Sequence, residues 1–204
     1  MKIVEQSFVI ESIDGERMIQ TIERRGRVCY KSEGQITPDS ARGFIAGLIK
    51  RGHESVLEHE KVTVTAVCDR GVSHEIVRHR IASYSQESTR YCNYLIKGVA
   101  VIEPFFFVNK KKRYDIWLEA MWACEKAYNA LIEDGATPQE ARSVLPNSLK
   151  TEIVITFNLR EWRHFFKLRC AKAAHPQMRE ITIPLLAEFK KLIPVVFDDI
   201  TPDV

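Results

Sequence analysis

Between Lys61 and Cys68 the chain reads KVTVTAVC, with β-branched valine and threonine alternating along it. That period of two places successive side chains on opposite faces of an extended backbone, so the stretch predicts a strand. A single strand does not stand alone in water, and residues 2–10 and Glu152–Phe157 also read as strands. With 204 residues and 45% hydrophobic content the chain is long enough to bury a core, and a single domain over 1–204 is expected.

Helical segments lie between these strands. Ile19 to about Tyr30 reads as a helix weakened at Gly26. A better-marked one follows: Thr37 as N-cap, Pro38 at the first position, Ala41, Phe44, Ile45, Leu48 and Ile49 on one face, and Gly52 as the stop. After the KVTVTAVC strand, a short helix from Asp69 or Ser73 is expected to run into Arg78-His79-Arg80, placing three cationic residues where the helix dipole favours them. Tyr84–Tyr94 lacks a helical stripe and reads as an extended loop or an edge strand. Lys110–Arg113 is expected to form a solvated turn before a long helix, Tyr114–Asp134, whose stripe of Trp117, Met121, Cys124, Tyr128 and Leu131 should be core. Thr137-Pro138-Gln139-Glu140 and Asn158-x-x-Glu161 both have the form of a capping box, the first opening a helix that stops near Pro146, the second opening Leu159–Cys170. A last helix covers about Pro176–Leu192, with Pro184 expected to kink it. Strands and helices without regular βα repetition argue for an α+β arrangement over a doubly wound sheet, and neither GxGxxG nor a Walker pattern occurs.

A net charge of +3 is well short of what a chain needs to wrap nucleic acid through many phosphates, so anion binding must come from local clusters. The five cysteines, Cys29, Cys68, Cys92, Cys124 and Cys170, are scattered without a CxxC pair, which suits a reducing, cytoplasmic setting. No signal-type segment and no apolar run of membrane-spanning length is present, so a soluble, intracellular protein is expected.

Arginines gather near segment ends: Arg78, Arg80 and Arg90, then Arg142, then Arg160, Arg163 and Arg169. A guanidinium fork matches phosphate or carboxylate and stays charged at any working pH. Taken singly, each is read equally well as part of a solvated face. Beside Ser88, Thr89, Arg90 and Tyr91 the balance moves toward a phosphate grip, because hydroxyls and backbone N–H groups lie next to the cations. His74 and His79, five apart on a short helix, are poorly spaced for a metal, no HExxH occurs, and no metal is expected. Flanked by two arginines, His79 should resist protonation and remain a neutral donor and acceptor. Ser88 has no neighbouring base and lies outside any GxSxG, which favours binding over nucleophilic attack. Cys170, beside Arg169, is read as a small buried residue before an activated thiol.

The stretch RHRIASYSQES (78–88) resembles the Arg-His-Arg, seven residues, Ser signature of the flavin-dependent thymidylate synthases. Its surroundings are similar to the family's other segments: RGHESVLEH (51–59), Ser-Thr-Arg-Tyr (88–91), ARSVLPNSL (141–149) and FNLREWRHFFKLR (157–169), in that order. The resemblance implies an α/β protomer with a mixed, mainly antiparallel sheet flanked by helices, assembled as a homotetramer with shared sites. It implies methylation of dUMP to dTMP, with methylenetetrahydrofolate as carbon donor and FAD, reduced by NADPH, as hydride source. Carried over position by position, His53, Ser55, Arg78, His79, Arg80, Ile81, Gln86, Asn158, Arg160 and His164 would contact FAD. Glu75, Arg78, Gln86, Ser88, Thr89, Arg90, Arg142 and Arg169 would hold dUMP, with Arg169 also polarising the uracil ring as the catalytic cation. The sequence departs from the family pattern at Glu75, where glutamine is frequent, and at Gln86, Thr89 and His164.

Two other readings of the same residues stay open at this level. One is a non-catalytic module gripping a nucleotide or single-stranded nucleic acid, which steep salt dependence would reveal. The other is a histidine-based metal hydrolase, which stoichiometric metal would reveal.

Overall fold

A computed structural model describes residues 1–202. Its strands are β1 (Lys2–Val4), β2 (Ser7–Ile10), β3 (Lys61–Asp69), β4 (Ala82–Gln86), β5 (Ala100–Ile102) and β6 (Lys150–Asn158). Its main helices are α1 (Gly15–Arg27), α2 (Ser40–Lys50), α3 (Arg70–Ile76), α6 (Lys111–Glu133), α8 (Leu159–Arg169) and α9 (Pro176–Leu192), with three single-turn helices, α4 (Tyr94–Lys97), α5 (Phe105–Val108) and α7 (Pro138–Ala141). Strands join in the order β2-β3-β6-β4, and β1 pairs separately and in parallel with β5, Lys2 opposite Ala100. The alternating KVTVTAVC strand is β3, and Val62, Val64, Ala66 and Cys68 are its buried set. Of the stretch Tyr84–Tyr94 read as an extended loop or edge strand, Tyr84–Gln86 complete the edge strand β4 and residues 87–93 are loop and turn.

The chain divides into two compact units, each built from separated stretches. One comprises Met1–Phe8, Thr65–Arg78 and Tyr84–Val154; the other comprises Val9–Val64, His79–Ser83 and the chain from Ile155 on. In the first, Trp117, Met121 and Tyr128 of α6 pack with Tyr94, Val99, Val101 and Leu149. The core of the second is aromatic: Trp162 stacks on Phe166, and Phe157, Phe165, Phe189 and Phe197 meet edge-on or tilted around them.

Several boundaries differ from the sequence reading. Strand 2–10 breaks at Glu5-Gln6 into β1 and β2. α1 begins earlier than its apolar stripe, because Asp14 caps it by accepting from the Arg17 amide at 3.0 Å. α2 starts after Asp39 and not at Thr37, whose own amide donates to Ser40 Oγ at 2.9 Å. Lys111–Arg113 form the first turn of α6, not a free turn, with Lys111 bonded to Asp115 one turn on at 2.9 Å. The α7 capping box is present as expected, with both reciprocal bonds made. The Asn158 box is only half formed: Asn158 accepts from the Glu161 amide at 2.8 Å, but the Glu161 carboxylate turns elsewhere.

Candidate active site

α3, capped at its start by Asp69, is only seven residues long and ends at Ile76, with Val77 as its C-cap. The triplet therefore lies beyond the helix instead of closing it. Arg78 and Arg80 are exposed, and neither side chain has a hydrogen-bond or ion-pair partner among the described residues. His79 between them is 5% exposed, its ring edge-on to Phe165 at 5.0 Å and tilted against Phe157 and His164.

The polar contacts of this imidazole define the chemistry of the second unit. Nδ1 lies 2.7 Å from Glu161 Oε1, and Nε2 accepts from Arg169 Nε at 3.2 Å. Its pKa lies below the ordinary histidine value chiefly because burial removes the charged form from water, against the opposing pull of Glu161; Arg169 and His164 lower it further. His79 is thus neutral, as the sequence suggested, for another reason: not its exposed arginine neighbours but burial and Arg169. His79, Glu161 and His164 offer ligand atoms within 4.8 Å of one another, a cluster that spacing along the chain did not reveal. Both ring nitrogens of His79 are already engaged, and a cation there would displace the Arg169 guanidinium.

Helix α8 carries most of this site and is firmly anchored. Arg163, 1% exposed, donates to Glu54 at 3.0–3.2 Å, to Asp199 at 2.6–2.8 Å and to the Val196 carbonyl. Burial opposes its charge, yet the two carboxylates hold it protonated, and in return its hydrogen bond keeps the Asp199 carboxyl below the ordinary range. Asn158, Arg160, His164 and exposed Ile81 line a cavity of about 420 Å³, and His53, Ser55 and Tyr30 line another of about 360 Å³. Arg160 and Glu54 belong to both walls, so the cavities adjoin. Arg160 is paired with Glu58, and Lys167 lies 3.7 Å from Glu54. Cys170, just after the helix, is 1% exposed, and burial pushes its thiol pKa up, so Arg169 does not activate it.

The first unit gathers the other predicted residues. Glu75 sits half-buried in α3, and Gln86 ends β4, where its amide donates to Ser73 Oγ at 2.9 Å and Thr151 Oγ1 at 3.2 Å. Ser88, Thr89 and Arg90 form the following turn, in which Ser88 Oγ accepts from the Arg90 amide at 3.3 Å. Arg142 donates to the buried Thr89 hydroxyl at 3.4 Å, and Arg90 reaches Gln139 at 3.5 Å, both at the limit for a hydrogen bond. Thr89 and Arg142 line a cavity of about 460 Å³ together with Arg70, which the sequence reading passed over, and His74, which it weighed only as a metal ligand. Gln86 borders a different cavity with Glu87 and Lys150, so within this unit it is not brought onto the wall shared by Arg142 and Thr89. Glu161 was also missed as a site residue, since the capping-box pattern supplied a sufficient local role for it.

Comparison with known proteins places these residues in context. Residues 11–195 match the family described as "Thymidylate synthase complementing protein". A flavin-dependent thymidylate synthase of Geobacter sulfurreducens is 38% identical over 183 residues, covering 86% of this chain and 79% of that protein. One from Pyrococcus abyssi is 35% identical, covering 86% of this chain and 75% of that protein. Among solved structures, a UMP/dUMP methylase, PolB, from Streptomyces cacaoi bound with 5-Br dUMP superposes with a TM-score of 0.83 at 22% identity, covering 97% of this chain and 96% of that one, a likeness of fold.

Proposed function

Because the chain belongs to the flavin-dependent thymidylate synthase family, we propose that it methylates dUMP to dTMP, taking the carbon from methylenetetrahydrofolate and electrons from NADPH through bound FAD. The observation that carries this reading is the Arg169 guanidinium, held through Nε on a neutral, buried His79 at the end of the helix whose first half lines the paired cavities. A fixed cation of this kind stabilises negative charge as it develops on a uracil ring, and fixing it beforehand removes the need to reorganise during reaction.

The second unit's donor set fits FAD. Arg160 suits a diphosphate once released from Glu58, Asn158, His53, Ser55 and His164 suit polar edges, and the outward faces of Ile81 and Tyr30, 67% and 75% exposed, suit flat rings. When bound and reduced, FAD supplies the hydride, so that tetrahydrofolate leaves unoxidised. Ser88, Thr89, Arg90 and Arg142 would hold the dUMP phosphate, with Glu75, Arg78 and Gln86 toward its sugar and base. The unpartnered Arg78 and Arg80 support a shared site completed by other copies of the chain, consistent with a homotetramer. Five free cysteines support a reducing, cytoplasmic setting, and among the described residues no helix is long and apolar enough to cross a membrane.

The purified protein should be yellow and should form dTMP from dUMP only when FAD, NADPH and methylenetetrahydrofolate are all present. A protein that takes up no FAD, or that forms dTMP without it, would overturn the reading.

A further inference from the structure

We infer that Glu161 is a positioning residue for this reaction: its carboxylate fixes His79 in the Nδ1–H tautomer, leaving the Nε2 lone pair to hold Arg169 by its Nε–H. The inference rests on the reading of Arg169 as the catalytic cation.

A neutral ring has one N–H and one lone pair, and an imidazolium has two N–H groups and no lone pair. Arg169 Nε can only donate, so the 3.2 Å contact at Nε2 requires the lone pair there. Of the three protonation states only the Nδ1–H tautomer satisfies both neighbours, and a carboxylate 2.7 Å from Nδ1 selects that tautomer, since it can accept but never donate. The ring is buried among Phe157 and Phe165, so water cannot stand in for either partner.

Glu161 is also free for this task. It stands at the third position of α8, where a glutamate ordinarily bonds back to the cap residue's amide. Here Asn158 alone completes the cap, and the Glu161 carboxylate is committed to His79, with its side chain 11% exposed. Glu161 and Arg169 are eight residues apart on one helix, and His79, arriving from the segment after α3, spans the gap between them. The arrangement is that of an acid orienting a histidine, with the histidine orienting a cation in place of moving a proton.

Glu161→Gln keeps the shape but removes the selection, because an amide can accept from Nδ1–H or donate to a bare Nδ1. Turnover should fall about 10-fold to 100-fold, the usual cost of losing a group that orients a reacting one, with FAD content and unfolding temperature unchanged. The discriminating measurement is a cycle with Arg169→Lys, which has no Nε–H. In that background Glu161→Gln should cost nothing more, whereas a structural role for Glu161 would cost the same again and overturn the inference. Imidazole nitrogen NMR on histidine-labelled protein, with His79 assigned from His79→Gln, should show in an Arg169→Ala background, where no donor holds Nε2, protonated Nδ1 with Glu161 present and mixed tautomers in Glu161→Gln. An unchanged tautomer would also overturn it. If Arg169→Lys alone kept full turnover, the catalytic reading of Arg169 would fail instead, and the NMR result would still decide what Glu161 does to His79.

Discussion

Around α8 the polar groups are bonded at short range: Glu161 to His79 at 2.7 Å, Arg163 to Asp199 at 2.6–2.8 Å. In the turn after β4 they barely reach one another, Arg142 to Thr89 at 3.4 Å and Arg90 to Gln139 at 3.5 Å, with both guanidiniums in solvent. The difference is one of when the cost of ordering is met. Groups around α8 are ordered during folding and are in place before any ligand arrives. If the 88–90 turn holds the dUMP phosphate as proposed, its groups gain close partners only then, and their contribution should be seen in affinity and not in the stability of the free protein.

Substitutions can break that contrast, and the greatest effect is expected at Arg163. Arg163→Ala removes the fully buried guanidinium that ties half-buried Glu54, exposed Asp199 and the Val196 carbonyl together, and should cost about 3 kcal/mol in denaturant unfolding. Arg169→Ala should lower kcat about 100-fold to 1,000-fold, the range for removing one preorganised charge-stabilising donor, while FAD remains bound; loss of the flavin would show that the arginine belongs to the cofactor. Arg142→Ala should weaken dUMP binding about 10-fold to 100-fold, the equivalent of one charge-assisted hydrogen bond, and leave the free protein within about 0.5 kcal/mol of native stability. A destabilisation there as large as that of Arg163→Ala would abolish the distinction. Asn158→Ala removes the sole side-chain cap of α8 and should cost about 1 kcal/mol.

The smallest effect concerns pH. The folded pKa of His79 lies below the unfolded value, so the unfolded chain binds a proton first as the medium is acidified. Its contribution to stability is therefore complete above the unfolded pKa of about 6.5, declines as pH falls below that, and levels off beneath the folded pKa. Melting temperatures measured across this range should show the decline in the native chain and a shallower one in His79→Gln.

How much of this was legible in the sequence depended on whether a residue's role is set by near or distant neighbours. The β3 alternation and the α7 capping box are local patterns and appear where they were read, and the α6 stripe is buried at Trp117, Met121 and Tyr128 but only partly at Cys124 and Leu131. α3 ends before the basic triplet, and no local feature of Arg78-His79-Arg80 marks it as helical or not. The neutrality of His79 was legible, but its cause was not, since Glu161 and Arg169 lie 82 and 90 residues away in the chain. Glu161 was hidden by a competing explanation: at the third position of a helix a glutamate already has a reason to be there. Arg70 went unnoticed, and His74 was weighed only for metal, because nothing along the chain shows that α3 and the segment after α7 share a cavity wall.

A dUMP titration followed by the visible absorption of the FAD-loaded protein tests the proposal of a preformed cofactor side and a ligand-completed nucleotide grip most directly. The native protein should show a saturable shift of its flavin bands, and Arg142→Ala should reach the same final spectrum at dUMP concentrations about 10-fold to 100-fold higher. Flavin bands that no concentration of dUMP perturbs, or an Arg142→Ala protein that titrates like the native one, would contradict it.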